Sequence, residues 1–175
     1  MRKFILTLVL ILIAVPASAQ RINLDFPDLA ERASEVVDVT LDASMLRLAA
    51  KFLSGADSEE RAVREMIGGL DGIYVRSYEF DKEGQYDRGL IDKVRSQLGP
   101  SWKPLVTVRS KTKENVSIMA DMRGDRVLGL VIIATEPREF TIVNITGPID
   151  IDRLAELSGQ FGIPEISKER KHRDE

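Results

Sequence analysis

Apolar residues along this chain fall into short segments, each with its own period. Residues 4–15 form an apolar run, interrupted only by Thr7, behind Arg2 and Lys3, and the run closes on Pro16-Ala17-Ser18-Ala19. A run this short, with a basic start and a small-x-small end, has the pattern of a secretory signal peptide cut between Ala19 and Gln20. Beyond an extended lead over 21–26, Pro27 with Asp28 and Glu31 predicts a first helical turn. Residues 35–41 then alternate, with Val37, Val39 and Leu41 on one side and Val36, Asp38 and Thr40 on the other, which predicts a strand.

Asp42 is placed to cap a helix whose Met45, Leu48, Ala49 and Phe52 recur at i, i+3, i+4, i+7. Leu46 and Leu53 widen that stripe, and Gly55 ends it. Asp57 and Glu60 have the spacing of a capping box, and Ala62, Val63, Met66, Ile67 and Leu70 form the next helical stripe. Residues 72–80 carry Ile73, Tyr74, Val75, Tyr78 and Phe80, apolar or aromatic on both faces, as an interior strand does. A polar loop over 81–87 leads to a helix over 88–98 with Leu90, Ile91, Val94 and Leu98 on one side, stopped by Gly99-Pro100.

Strands over 105–111, 116–123, 126–135 and 140–145 follow, joined by short turns rich in Gly, Asn, Asp or Pro, as in an antiparallel meander. Asp150 caps a last helix with Ile151, Leu154, Leu157 and Phe161 inward, and residues 167–175 are a charged tail with nothing to bury. The expected architecture is α+β: a two-layer sandwich with helices packed on a mainly antiparallel sheet of five or six strands. It is expected as a single domain over 20–166, between a leader at 1–19 and the tail.

The strand at 126–135 departs from simple alternation. Val127, Val131 and Ile133 point to one face and Leu128, Leu130, Ile132 and Ala134 to the other, so both faces are apolar. Either both are covered within one molecule, or one is shielded by a second copy or a partner. The helices counted above cover one face more readily than two, so an uncovered face around this strand is expected to be an interaction surface.

Composition limits the chemistry. The chain has 175 residues, no cysteine, one histidine and a net charge of −3, which becomes −5 when the leader takes Arg2 and Lys3 with it. An acidic exported chain is a poor nucleic-acid ligand, because that binding needs a basic field. Without cysteine, neither disulfides nor a lipid-modified cysteine are available, and packing alone must hold the fold. The expected location is therefore the periplasm or the medium, with no integral membrane segment after cleavage. His172 lies in the charged tail, so the core holds no His-based triad or His-ligated zinc.

Carboxylates remain as candidate catalysts, with Glu79, Asp81, Glu136 and Glu139 as the nearest to a general acid–base pair, although solvated surface acids account for them more simply. Ser110-Lys111-Thr112-Lys113 spells the Ser-x-x-Lys of penicillin-binding enzymes, but it stands at a strand end and not at a helix start. Asp81, Glu83, Gln85 and Asp87 alternate as in a calcium loop, yet Tyr86 occupies the position that needs glycine and Asp92 that of the bidentate glutamate. Arg123-Gly124-Asp125, an adhesive tripeptide elsewhere, is explained here by a hairpin turn. No catalytic, cofactor-binding or metal-binding set is expected. The aromatic and basic alternation Tyr74, Arg76, Tyr78 either packs across strands, with the arginine over a ring, or grips a ligand. With Leu128, Leu130 and Ile132 it makes up the candidate interaction surface.

Four segments carry a resemblance when taken in order: residues 37–41 (VDVTL), 72–81 (GIYVRSYEFD), 136–141 (EPREFT) and 161–164 (FGIP). Over about 24–166 the chain resembles the bacterial family known as domain of unknown function 4252. The resemblance implies an exported envelope protein, lipid-anchored in some members although the anchoring cysteine is missing here. It also implies an association with envelope-stress or extracytoplasmic sigma-factor systems, and it brings no catalytic residues. The expected function is an exported, non-catalytic cell-envelope binding or interaction module, its partner an envelope protein or a second copy. The alternative is a carboxylate-dependent hydrolase of cell-wall glycans.

Overall fold

The computed structural model describes residues 21–53, 55–87, 89–110 and 114–151. The expected leader, final helix and charged tail lie outside them, apart from Ile151 at the start of that helix. One short helical turn, α1 (Pro27–Ala30), precedes β1 (Glu35–Asp42), α2 (Ala43–Phe52), α3 (Ser58–Gly69), β2 (Gly72–Glu79) and α4 (Gly89–Arg95). Four consecutive strands complete the order: β3 (Trp102–Val108), β4 (Asn115–Arg123), β5 (Arg126–Thr135) and β6 (Glu139–Ile149). They form one six-stranded sheet ordered β1-β2-β6-β5-β4-β3, antiparallel throughout. The meander β3 to β6 is as expected, and β2 is interior, between β1 and β6.

Local chemistry sets the element ends. The Asp42 carboxylate accepts from the backbone N–H of Ser44 at 2.8 Å and of Met45 at 2.9 Å, the N-cap the sequence predicts. Asp57 accepts from the Glu60 N–H at 2.7 Å, while the Glu60 carboxylate reaches back to the Gly55 N–H at 3.0 Å, two residues beyond the Asp57 N–H that a reciprocal box would use. Gly147 is needed for its size: its φ is 115°, and a Cβ there would lie 2.6 Å from the Asp71 nitrogen.

The fold is α+β, as expected, with a six-stranded antiparallel sheet and helical segments packed on both of its faces. On one face, residues 21–33 and α4 cover a core of Tyr78, Phe80, Val131, Ile133, Phe140 and Ile142, joined by Leu29, Leu90 and Val94. On the other, Leu46 of α2 and Leu70 after α3 pack on Ala120, Val127, Leu130 and Ile149. The first is here called the sealed face and the second the half-open face.

Two expectations about phase are corrected. In α2 the buried residues are Leu46 and Ala50, whereas Met45, Leu48 and Phe52 are 50%, 55% and 82% exposed. Apolar residues surround most of this helix, so their period identifies a helix without fixing which side turns inward. In β5, Val127 lies with Leu130 and not with Val131 and Ile133, because β5 carries an extra residue between Val127 and Gly129, opposite the single step from Asp121 to Met122 on β4, which reverses the alternation.

Candidate functional site

The strand register turns alternation into rows across the sheet. On the half-open face, Leu41, Ile73, Ile145, Leu130 and Ala120 are successive cross-strand partners, and all belong to the core under α2 and α3. The next row runs Val39, Val75, Val143, Ile132, Ile118 and Val106 through all six strands. Every one of these is β-branched, and every one is only half-buried. A further row runs Val37, Ser77, Thr141, Ala134, Val116 and Val108, with its edge residues Val37 and Val108 exposed. β-Branched residues are the expected population of a flat, packed sheet surface. Here they continue past the end of the helical cover that the described residues provide.

An acidic rim borders these rows. Glu35, Glu79 and Glu139 are successive register partners on β1, β2 and β6. Ser77 Oγ and Thr141 Oγ1 donate to the Glu139 carboxylate at 2.8 and 2.7 Å. With Val37 they line a cleft of about 250 Å³. Glu79 and Glu139 are thus side by side on adjacent strands, whereas a glycosidase pair faces across a cleft. Asp81 and Glu136 lie beyond the ends of β2 and β5.

The Tyr74-Arg76-Tyr78 alternation points to the sealed face, where Tyr78 is fully buried. Its hydroxyl donates to the Leu24 carbonyl and accepts from the Phe26 N–H, both at 3.1 Å, so it holds residues 21–26 down as a strap. Burial pushes the Tyr78 phenol above its ordinary pKa. Asn144, also fully buried, completes the clamp: its amide accepts from the Ile22 N–H at 3.2 Å and donates to the Leu130 carbonyl at 3.3 Å. Arg76 pairs with Asp38, and the guanidinium that lies over a ring is Arg21, 4.2 Å from the centre of Tyr74. Arg21, Asp38, Tyr74 and Arg76 line a cleft of about 300 Å³ beside the strap.

The six residues expected to form one interaction surface are therefore dispersed. Tyr74 and Arg76 flank the strap, and Tyr78 lies beneath it. Leu130 is buried under α2, Leu128 sits half-buried at the β5 bulge, and Ile132 is on the half-buried row. The remaining members of that row follow from register, a long-range property that one strand's pattern does not contain.

The other sequence motifs resolve locally. Gly124, with φ of 63°, turns the β4–β5 hairpin, and Arg123 folds back to the buried Asp121 at 3.2 Å. The Ser110 N–H donates to Asn115 Oδ1 at 2.8 Å, and residues 111–113 lie outside the described residues. Among the described residues no three acidic or histidine side chains gather as metal ligands, and no helix is long and apolar enough to cross a membrane.

Compared with known proteins, residues 31–157 match the family model described as a domain of unknown function, DUF4252. No curated protein and no solved structure matches the chain.

Proposed function

The chain belongs to the DUF4252 family, and from that premise we propose that it is an exported, non-catalytic cell-envelope interaction module that docks an amphipathic helix of a partner protein on its half-open sheet face. The observation that carries this is the in-register row Val39, Val75, Val143, Ile132, Ile118 and Val106, half-buried and continued by a second, partly exposed row. Residues 1–19 supply the export signal in this reading.

Size favours a helix over a second copy. Six strands at about 4.8 Å spacing give a strip about 24 Å long, and two residue rows make it about 14 Å wide. That is roughly 300 Å² of sheet, well below the ~800 Å² per partner of a standard stable interface. A helix is about 10 Å across and rises 1.5 Å per residue, so about sixteen residues span the strip. The rim of Glu35, Glu79 and Glu139 runs beside half of its length, which selects a helix with lysine or arginine along one flank.

A photo-cross-linking amino acid at Val143, introduced in the full chain in living cells, tests the proposal. The expected product joins it to an amphipathic, basic-flanked helical segment of another envelope protein, and Val75→Asp removes that product. Cross-links to a second copy, or only to residues 152–166 of the same chain, contradict it.

A further inference from the structure

The sealed face carries a second site, unrelated to the apolar rows. Thr107 pairs with Ser117 and Ser117 with Ile133, while Asn115 pairs with Thr135. Ile133 belongs to the sealed core, and register partners share a face, so three adjacent strands present Thr107, Asn115, Ser117 and Thr135 together on that side. This is a polar end to an otherwise aromatic and aliphatic face. Over it, α4 and the residue following β3 bring Arg95 and Arg109, and the six side chains line a cavity of about 230 Å³.

The charges in this cavity do not cancel. Arg95 donates to Ser117 Oγ at 3.0 Å, which fixes its guanidinium over the strands. Its nearest carboxylate, Asp92, is 3.9 Å away with a side chain 83% exposed. A guanidinium has five N–H donors, and Ser117 takes one. Arg109 makes no hydrogen bond or ion pair among the described residues. Two guanidinium groups therefore face one loosely held carboxylate, in a chain whose net charge is −3. The cavity wall adds an independent observation: Thr135 is 2% exposed, and its Oγ1 is the buried side-chain polar atom among the described residues that lacks a partner. A buried hydroxyl without a partner is uncommon in native proteins, and a bound water or ion is among the groups that supply one.

The geometry points to a binding site for a small oxyanion, a carboxylate or phosphate group held by Arg95 and Arg109 and hydrogen-bonded by the hydroxyls of Ser117, Thr107 and Thr135. Guanidinium forks match both groups in bidentate geometry, and hydroxyls serve either as donors. The cavity is smaller than the usual 300–1,000 Å³ of drug-sized ligand sites, so the ligand, or the part of it that enters, is small. Docking on the other face of the sheet is not involved.

The test is an amide and arginine-Nε NMR titration of the full mature chain with inorganic phosphate and, separately, with malonate, at constant ionic strength set by chloride. Saturable shifts centred on Arg95, Ser117 and Thr135 are expected with at least one probe, and the tighter of the two identifies the oxyanion. Arg109→Gln, an exposed change, should weaken that binding at least tenfold with melting temperature unchanged. Asp92→Asn should strengthen it. Shifts that never saturate with either probe, or an affinity that Arg109→Gln leaves alone, overturn the assignment.

Discussion

The two faces of this sheet are built from the same strands and are covered differently. Along β6, Phe140, Ile142 and Asn144 are fully buried, while their neighbours Thr141, Val143 and Ile145 are half-buried. The sealed face is rich in aromatics, with Phe26 edge-on to Phe140 at 6.1 Å and Tyr86 stacked on Phe80 at 5.5 Å. Its cover is stitched down by the hydrogen bonds of Tyr78 and Asn144. The half-open face is aliphatic and β-branched, and α2 and α3 cover only the end where those helices begin and return. Burial of large rings with satisfied polar partners stabilises a fold, whereas the flat row of valines and isoleucines left at the edge of its cover is the surface proposed above for association.

Truncations should separate the faces. Phe140→Ala removes a ring at the centre of the sealed core, and a loss of about 3–5 kcal/mol is expected in chemical denaturation. A cost under about 1 kcal/mol would erase the distinction between the faces. Asn144→Ala takes away the acceptor of the Ile22 N–H and the amide bond to the Leu130 carbonyl, for about 1–3 kcal/mol, with faster hydrogen exchange along residues 22–26 as its local signature.

Tyr78→Phe keeps the ring and deletes the clamp, at about 1 kcal/mol near neutral pH. Its pH dependence sharpens the comparison. Because burial raises the Tyr78 pKa, the folded state holds the phenolic proton more tightly than the unfolded state. That stability is complete below about pH 10 and is lost as pH rises through the folded value. Wild-type stability should fall on that alkaline limb more steeply than that of Tyr78→Phe, and parallel curves would contradict a buried phenol. The smallest effect belongs to α2, where Met45→Ala or Leu48→Ser should change stability by about 0.5 kcal/mol or less because those side chains face outward.

Local chemistry was legible in the sequence wherever it acts over a few residues. The Asp42 and Asp57 caps, the meander with its turns, the interior position of β2 and the α+β class all follow from spacing and residue type. The phase of α2 does not, since Met45, Leu46, Leu48, Ala49, Ala50, Phe52 and Leu53 leave little polar surface to orient it. The bulge at Val127 is equally silent, because it depends on how β5 meets β4. Apolar residues on both sides of β5 did announce that two faces needed cover. Which half lacked it depends on where α2 and α3 end, so Ile132 was found as a site residue without Val39, Val75, Val143, Ile118 and Val106 beside it. The cavity under Arg95 was missed because its six polar residues come from four separate segments, none with a motif.

Adjacent residues of β6 give the most direct test of this account, because Ile142 and Val143 share a strand and face opposite ways. Aspartate at each position, with melting temperature and the in-cell cross-link measured on the same proteins, separates core from docking surface. Ile142→Asp buries an unpaired charge in the sealed core and should cost several kcal/mol, enough to unfold a marginal domain. Val143→Asp should cost about 1 kcal/mol, keep the fold and abolish capture of the partner helix, read with the cross-linker moved to Ile132. Equal destabilisation by the two, or a folded Val143→Asp protein that still captures the helix, would contradict the division of this sheet into a sealed face and a docking face.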